Sequence, residues 1–409
     1  MTMDPARPVA ADDERTLAAL LEAAARALVA DDLPRAAMFG FAAIERFPEA
    51  WEALGFLSNL FLRVQHYPLA EAALRSALER RPGALPLRYN LMLLLLRQRR
   101  LAEAWPLRDG RVAWERAKGV APPTTGDLPT WLPGAPAAGV LIWSSSLSMT
   151  PLLLGLVAEM PVAAGPIVLA VPARLTALAA RSLPAVTVTA FVPDLAAVAA
   201  AHGVGRHLPL EELAPLLRPD VAAFPARVRA AVADPDATAR LARRYRRSGA
   251  PTIGIAWATS NQAAGYKALA LARLAAAIPA PATLVNLQYG RVADEVAALP
   301  PAERARVVLD PAIDPLGDLD PYAAQIAACD AVVTVAGLAA HLAGALAVPT
   351  IVLVPIGLVT AWYWHDGDGP SLWHPSVHML HQRRRGDWDA CLAAIPAALD
   401  RLLGRSPAP

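Results

Sequence analysis

From Ala331 to Trp364 the chain carries no Asp, Glu, Lys or Arg, yet the run is not uniform. Val332, Val333, Thr334 and Val335 stand at its start, and Thr350, Ile351, Val352 and Val354 come later. Between these β-branched clusters lies an Ala- and Leu-rich stretch with a helical period, and Gly337, Gly344, Pro349, Pro355 and Gly357 interrupt the whole. A membrane span needs about 20 continuous apolar residues. The pattern instead predicts strand, helix, strand, with the strands buried on both faces as in a parallel sheet.

The same alternation recurs along most of the chain. Short apolar runs at 139–143 (GVLIW), 166–171 (PIVLAV) and 185–192 (AVTVTAFV) are separated by helical stretches such as PLLLGLVAEM and ARLTALAARSL. A second series predicts strands at 251–257, 282–288, 305–309, 331–335 and 349–355, with helices near 269–278, 291–299, 320–329 and 338–347. A last amphipathic helix is predicted from Trp388 to Leu403. Strands and helices alternating at this spacing predict two Rossmann-like parallel sheets. Ligands of such sheets bind outside the carboxyl ends of the strands, so the loops after 143, 257, 288, 335 and 355 are where chemistry is expected. Residues 235–247 predict a basic helix with Arg240, Arg243, Arg244, Arg246 and Arg247, read as a solvated face or a connector between domains.

The first 118 residues predict helices only, and they repeat. Pro34 and Pro68, Pro48 and Pro82, Leu33, Tyr67 and Leu101, and Ala36, Ala70 and Ala104 each recur at 34 residues. A 34-residue helix–turn–helix period is the tetratricopeptide signature. Small Ala sits where helices approach closely, and Pro ends the second helix of a unit. Two full units are expected between about 34 and 100, with flanking helices as caps. The Pro- and Gly-rich stretch after them reads as a linker or strap. The expected organisation is α plus α/β: an all-α tetratricopeptide domain at 1–118, a linker at 119–138, Rossmann-like lobes at 139–250 and 251–386, and a C-terminal helix and tail at 387–409.

Composition narrows the class. A length of 409 residues implies two or three domains. A formal net charge of +2 gives no overall basic field for nucleic acid. The two cysteines, Cys329 and Cys391, match no metal spacing and suggest a reducing compartment. The N-terminal MTMDPARPVAADDER has no apolar core of a secretory signal. These features, with no transmembrane segment, point to the cytoplasm. The histidines at 365, 374, 378 and 381 lack an obvious carboxylate set, so no metal is expected. No strand runs into a G-x-G-x-x-G turn with an acidic partner downstream, which argues against a dinucleotide oxidoreductase.

The words IGIAWATSNQ, LVNLQYG, DAVVTVAGLAAHLAGALAVPTIVLVP, WYW, SLWHPSVHMLHQ and GDWD occur in that order. With the repeats in front, they resemble the bacterial tetratricopeptide glycosyltransferases. That group is similar to the ADP-heptose:lipopolysaccharide heptosyltransferases of glycosyltransferase family 9 and, more distantly, to the O-linked N-acetylglucosamine transferases. The resemblance implies a GT-B fold, in which the C-terminal lobe holds a nucleotide-sugar donor without metal or cofactor. It places the donor near Trp257, Asn261, Lys267, Gln288, Tyr289, Gly290, Gly337, Leu338, Ala339 and His341. A helix starting after Gly337 offers free N–H groups and a positive dipole end to a diphosphate, and Lys267 can pair with a phosphate. Gln288, Tyr289 and Gly290 are placed to hold base or ribose. The acceptor-side loop is WSSSLSMT, with Ser144, Ser145, Ser146 and Ser148.

Three places depart from the family pattern. Ala336 and Gly337 stand where a polar pair such as Asp-Thr is usual, WSSSLSMT stands where a Gly-rich loop with an acidic residue is usual, and Tyr363 replaces the Arg between two tryptophans. Serine alone is no general base near neutral pH. Asp127, Asp194, His341 and Asp366 are candidate replacements, with His341 the named catalytic candidate. The resulting expectation is a glycosyltransferase acting on a protein acceptor recruited by the repeats, for example flagellin or another surface protein, or on a glycan. The alternative is a degenerate, non-catalytic scaffold that binds a partner protein.

Overall fold

The computed structural model describes residues 11–111, 119, 121–135, 138–161, 165–246, 249–259, 268–357 and 360–404. The chain forms two compact units. One holds residues 1–121 with 357–362, the other 122–356 with 363–409. Among the described residues, no helix is long and apolar enough to cross a membrane.

The first unit is helical: α1 (Ala11–Val29), α2 (Leu33–Arg46), α3 (Trp51–Arg63), α4 (Tyr67–Arg80), α5 (Leu85–Arg97) and a short turn of helix at Leu101–Ala104. The 34-residue sequence period is a period of structure here. Asp31, Gln65 and Arg99, one period apart, take left-handed backbone angles of φ 63°, 59° and 61°. Each reverses the chain ahead of a new helix. Asp32 then caps α2 by accepting from the Arg35 amide at 3.1 Å, and His66 caps α4 by accepting from the Leu69 amide at 3.3 Å. Pro34 and Pro68 sit in the first turns, where a missing N–H costs nothing. Ala36, Ala70 and Ala104 are fully buried, so neighbouring helices close over them. Asp32→Ala is expected to cost this unit about 1 kcal/mol, measured as a shift in denaturant midpoint.

The second unit holds two parallel sheets. The smaller contains β1 (Val140–Trp143), β2 (Ile167–Val171), β3 (Thr187–Ala190) and β4 (Arg206–Pro209) in the order β3-β2-β1-β4. The larger contains β5 (Thr252–Ala256), β6 (Thr283–Asn286), β7 (Val307–Val308), β8 (Ala331–Val335), β9 (Thr350–Val354), β10 (Gly369–Pro370) and β11 (Val377–His381). Its order is β10-β11-β9-β8-β5-β6-β7, and only the β10–β11 pair is antiparallel. Read from β5 outwards, this is a doubly wound sheet. β5, β8 and β9 are buried along their whole length, which accounts for their unbroken apolar runs.

In both sheets the winding reverses beside the first strand, between β1 and β4 and between β5 and β8. Those reversals open crevices at the carboxyl ends of the strands. Side chains of the 173–182 region fasten the two sheets to each other. Arg174 donates to the carbonyls of Pro315 and Gly317, each at 2.6 Å, and Arg181 grips the Asp320 carboxylate with both nitrogens. The amides of Ala230 and Ala231 donate to the Ala345 carbonyl at 2.8 and 2.9 Å. The helices Met149–Ala158 and Leu338–Ala345 pack together between the sheets.

Three strands were not anticipated. β4 reads RHLP, half polar, because it is the edge of its sheet and its outer side is covered by the strap. The Trp131 amide donates to the His207 carbonyl at 2.8 Å, and the His207 amide to the Pro129 carbonyl at 3.1 Å. β10 is only two residues, and β11 reads VHMLH, with His378 and His381 at its two half-buried positions. The basic helix is Pro235–Tyr245; its Arg244 pairs with the Asp310 carboxylate at 3.0 Å and its Tyr245 is buried.

Candidate functional site

The crevice of the larger sheet is assembled from three strand ends. After β5 come Trp257, Ala258 and Thr259; after β6 come Leu287, Gln288, Tyr289 and Gly290; after β8 come Ala336 and Gly337. Gln288 binds the first two loops together. Its Oε1 accepts from the amides of Trp257 at 3.0 Å and Ala258 at 2.9 Å. Trp257 is buried and its indole N–H donates to Glu295 at 2.8 Å. Gln288 and Trp257 therefore build the crevice wall, while Tyr289 is half-buried and Gly290, at φ 91°, is exposed on its rim. Asn261 and Lys267 lie outside the described residues.

Gly337 is the N-cap of the Leu338–Ala345 helix. It has no side chain to satisfy the free amides of the first turn, including those of Leu338 and Ala339. Its backbone is extended, at φ −173°, a conformation any residue adopts. Packing does not demand glycine here either. A Cβ would meet nothing nearer than Thr259 Cγ2 and the Val335 carbonyl, each at 3.8 Å. The approach to the helix N-terminus is thus clear of neighbouring backbone, and the amide dipoles face a crevice suited to an anion.

His341, one turn further along, is enclosed. It is 1% exposed, stacks on Trp364 at 5.0 Å and meets the edge of Tyr363 at 4.7 Å. Its Nδ1 lies 3.4 Å from His374 Nε2. Burial drives the His341 pKa well below the ordinary histidine range, helped by His374, and burial lowers that of His374 to about 3. Burial also pushes the Tyr363 hydroxyl up to about 12. Both imidazoles are neutral near pH 7, and His341 has the surroundings of a packed core residue. Trp362 stands against Trp105 edge to face at 6.0 Å in the first unit.

The crevice of the smaller sheet carries the serine loop. Ser144 directly follows β1 and is fully buried. Its hydroxyl donates to Glu211 Oε1 at 3.3 Å and accepts from the Ser146 amide at 3.3 Å. Ser146 Oγ accepts from the Met149 amide at 3.1 Å and so shapes the entry to the 149–158 helix. Ser148 is the N-cap residue and Ser145 is exposed. Beside them the Trp143 indole N–H donates to His207 Nδ1 at 3.2 Å. Burial lowers the His207 pKa, so this imidazole too is neutral near pH 7.

Of the carboxylates read as replacement bases, Asp194 caps the Leu195–His202 helix, accepting from the Ala197 amide at 3.0 Å. Asp127 lies exposed in the strap, and Asp366 is half-buried next to His365. Glu211 was not among them. It follows β4, whose half-polar RHLP carries no strand signal, so nothing in the local sequence marks a strand end beside it.

No family model matches the chain. Protein FlbA of Caulobacter vibrioides is 26% identical over 363 residues, covering 80% of this chain and 57% of that protein. The chain thus spans little more than half the length of that curated relative. Among solved structures, Escherichia coli ADP-heptose lps heptosyltransferase II aligns over 65% of this chain and 98% of its own, at 14% identity and a TM-score of 0.40. A glycosyl transferase family 9 protein from Veillonella parvula aligns over 65% and 97%, at 13% identity and TM-score 0.43. Thermobaculum terrenum O-GlcNAc transferase aligns over 97% and 94%, at 17% identity and TM-score 0.31. The fold assignment for this chain rests on its own strand orders.

Proposed function

We propose that this chain is a GT-B glycosyltransferase that takes a sugar from a nucleotide-sugar donor and passes it to an acceptor hydroxyl. The observation that carries the reading is the crevice between β5 and β8. There an uncapped helix N-terminus, entered past Gly337 with no Cβ in the way, is flanked by a loop that Gln288 holds in place. This arrangement suits the diphosphate of a donor. The amides would stabilise the negative charge that grows as the nucleoside diphosphate leaves. Tyr289 and Gly290 on the rim are the candidates for the base and ribose, with Lys267 a further phosphate partner by sequence. No metal or cofactor is part of this reading.

The first unit supports a protein acceptor. Its 34-residue helical period is that of tetratricopeptide repeats, whose stacked helices offer extended surfaces to peptides. A flagellin-like or other surface protein, glycosylated in the cytoplasm, is the acceptor class proposed. A second reading, a non-catalytic scaffold, draws support from Ala336 and Gly337, which put no carboxylate or hydroxyl at the switch point, and from the enclosure of His341.

Thermal unfolding with UDP, GDP, ADP, CMP and their sugar conjugates separates the two. A ligand at one hundred times its dissociation constant stabilises the native state by about 2.7 kcal/mol. A rise in melting temperature with one nucleotide class is expected. No shift with any of them would leave the scaffold reading.

A further inference from the structure

The crevice of the smaller sheet holds a carboxylate that neither the motif words nor the serine loop led to. β1 and β4 are paired in register, with Trp143 beside Pro209. The next residues, Ser144 on one side and Leu210 and Glu211 on the other, leave their strands at the same end of the sheet. This is the point where the winding reverses. Glu211 is half-buried there, and the fully buried Ser144 hydroxyl donates to its Oε1 at 3.3 Å. Ser144 is itself fixed, because its Oγ accepts the Ser146 amide and its own amide donates to the Ala170 carbonyl at 2.9 Å. The carboxylate is therefore held by a rigid donor at the end of a rigid strand.

We infer that Glu211 is the general base of the transfer, taking the proton of the acceptor hydroxyl, with Ser144 as its positioning residue. This rests on the glycosyltransferase reading above. As the acceptor oxygen forms its bond to the anomeric carbon, its proton passes to the Glu211 carboxylate. The bond from that carbon to the diphosphate oxygen breaks, and the nucleoside diphosphate departs with the electron pair. No other reactant is needed.

Asp194, past the end of β3, caps the Leu195–His202 helix. His207, the nearby imidazole, already accepts the Trp143 indole N–H. Glu211, in the turn that follows β4, places beside the serine loop the carboxylate that serine alone cannot supply.

The test uses the full chain, with nucleoside diphosphate release from the panel of nucleotide sugars as the probe and water as surrogate acceptor. Wild type is expected to bind one nucleotide class and to release it from the matching nucleotide sugar. Glu211→Gln is expected to keep the nucleotide-induced melting shift and to lose release by at least about 100-fold, the usual scale of a general base. Glu211→Asp is expected to recover part of the rate. Release by Glu211→Gln within a few-fold of wild type would overturn the assignment. So would a wild type that binds nucleotide and turns over none, which leaves the donor site standing. Failure of every nucleotide to bind would instead remove the donor-site reading beneath it. Should Glu211→Gln not fold, Ser144→Ala carries the test. Losing a hydrogen bond to the charged form raises a carboxyl pKa, so the acid limb of the pH–rate profile is expected to move to higher pH. An unmoved limb overturns the proposal.

Discussion

Gly344→Ala is expected to destabilise the second unit by about 2 kcal/mol, although alanine is the better helix former. Gly344 lies in the Leu338–Ala345 helix, and an added Cβ would sit 2.4 Å from His374 Cγ and 2.7 Å from its Cβ. Helix propensity favours Ala over Gly by about 1 kcal/mol. Overpacking a filled core costs about 1–3 kcal/mol and more when the neighbour is pinned. His374 is pinned: its amide donates to Ser371 Oγ at 3.3 Å, its carbonyl accepts from the Val377 amide at 2.8 Å, and its ring faces His341 and Trp364. The clash is with the base of the side chain, which cannot swing away as a flexible tip would. Equilibrium denaturation of the variant measures the balance, and a stabilised Gly344→Ala would contradict the close approach.

The second large effect is acid sensitivity. His341 and His374 are held neutral by burial, with folded pKa values below the unfolded value near 6.5. Protonation is therefore easier in the unfolded chain. The stability they contribute is fully present above pH 6.5 and is lost as the pH falls towards the folded value of His374, about 3. Each group adds a slope of up to about 1.4 kcal/mol per pH unit within that window. Unfolding measured between pH 7 and pH 4 is expected to show stability falling steeply below pH 6. His374→Gln is expected to flatten the slope while lowering stability at pH 7. A wild-type stability unchanged down to pH 4 would contradict the neutral pair.

The alternation of apolar runs was a good guide wherever strands are buried on both faces, as in β5, β8 and β9. It fails at β4 and β11, where an edge position or half-buried positions admit Arg and His. The 34-residue spacing of Ala36, Ala70 and Ala104 was legible because full burial at a helix crossing tolerates little else. Side-chain roles were less so. Gln288 reads as a ligand group in one dimension, but its oxygen serves the amides of residues 30 and 31 positions earlier. His341 read as a donor-site base, and only the fold brings Trp364 and His374 around it. The pairing of Ser144 with Glu211, 67 residues apart, depends on strand order, which the local pattern does not encode.

The donor crevice is tested most directly by titrating the nucleoside diphosphate that raises the melting temperature into wild type and into Gly337→Val by calorimetry. The variant is compatible with the fold, since its Cβ has ordinary room and the extended backbone admits it. Its branched methyls would occupy the approach to the helix N-terminus. Binding to wild type and loss of binding in Gly337→Val is the predicted result. Equal affinity in the two proteins would contradict a donor site between β5 and β8.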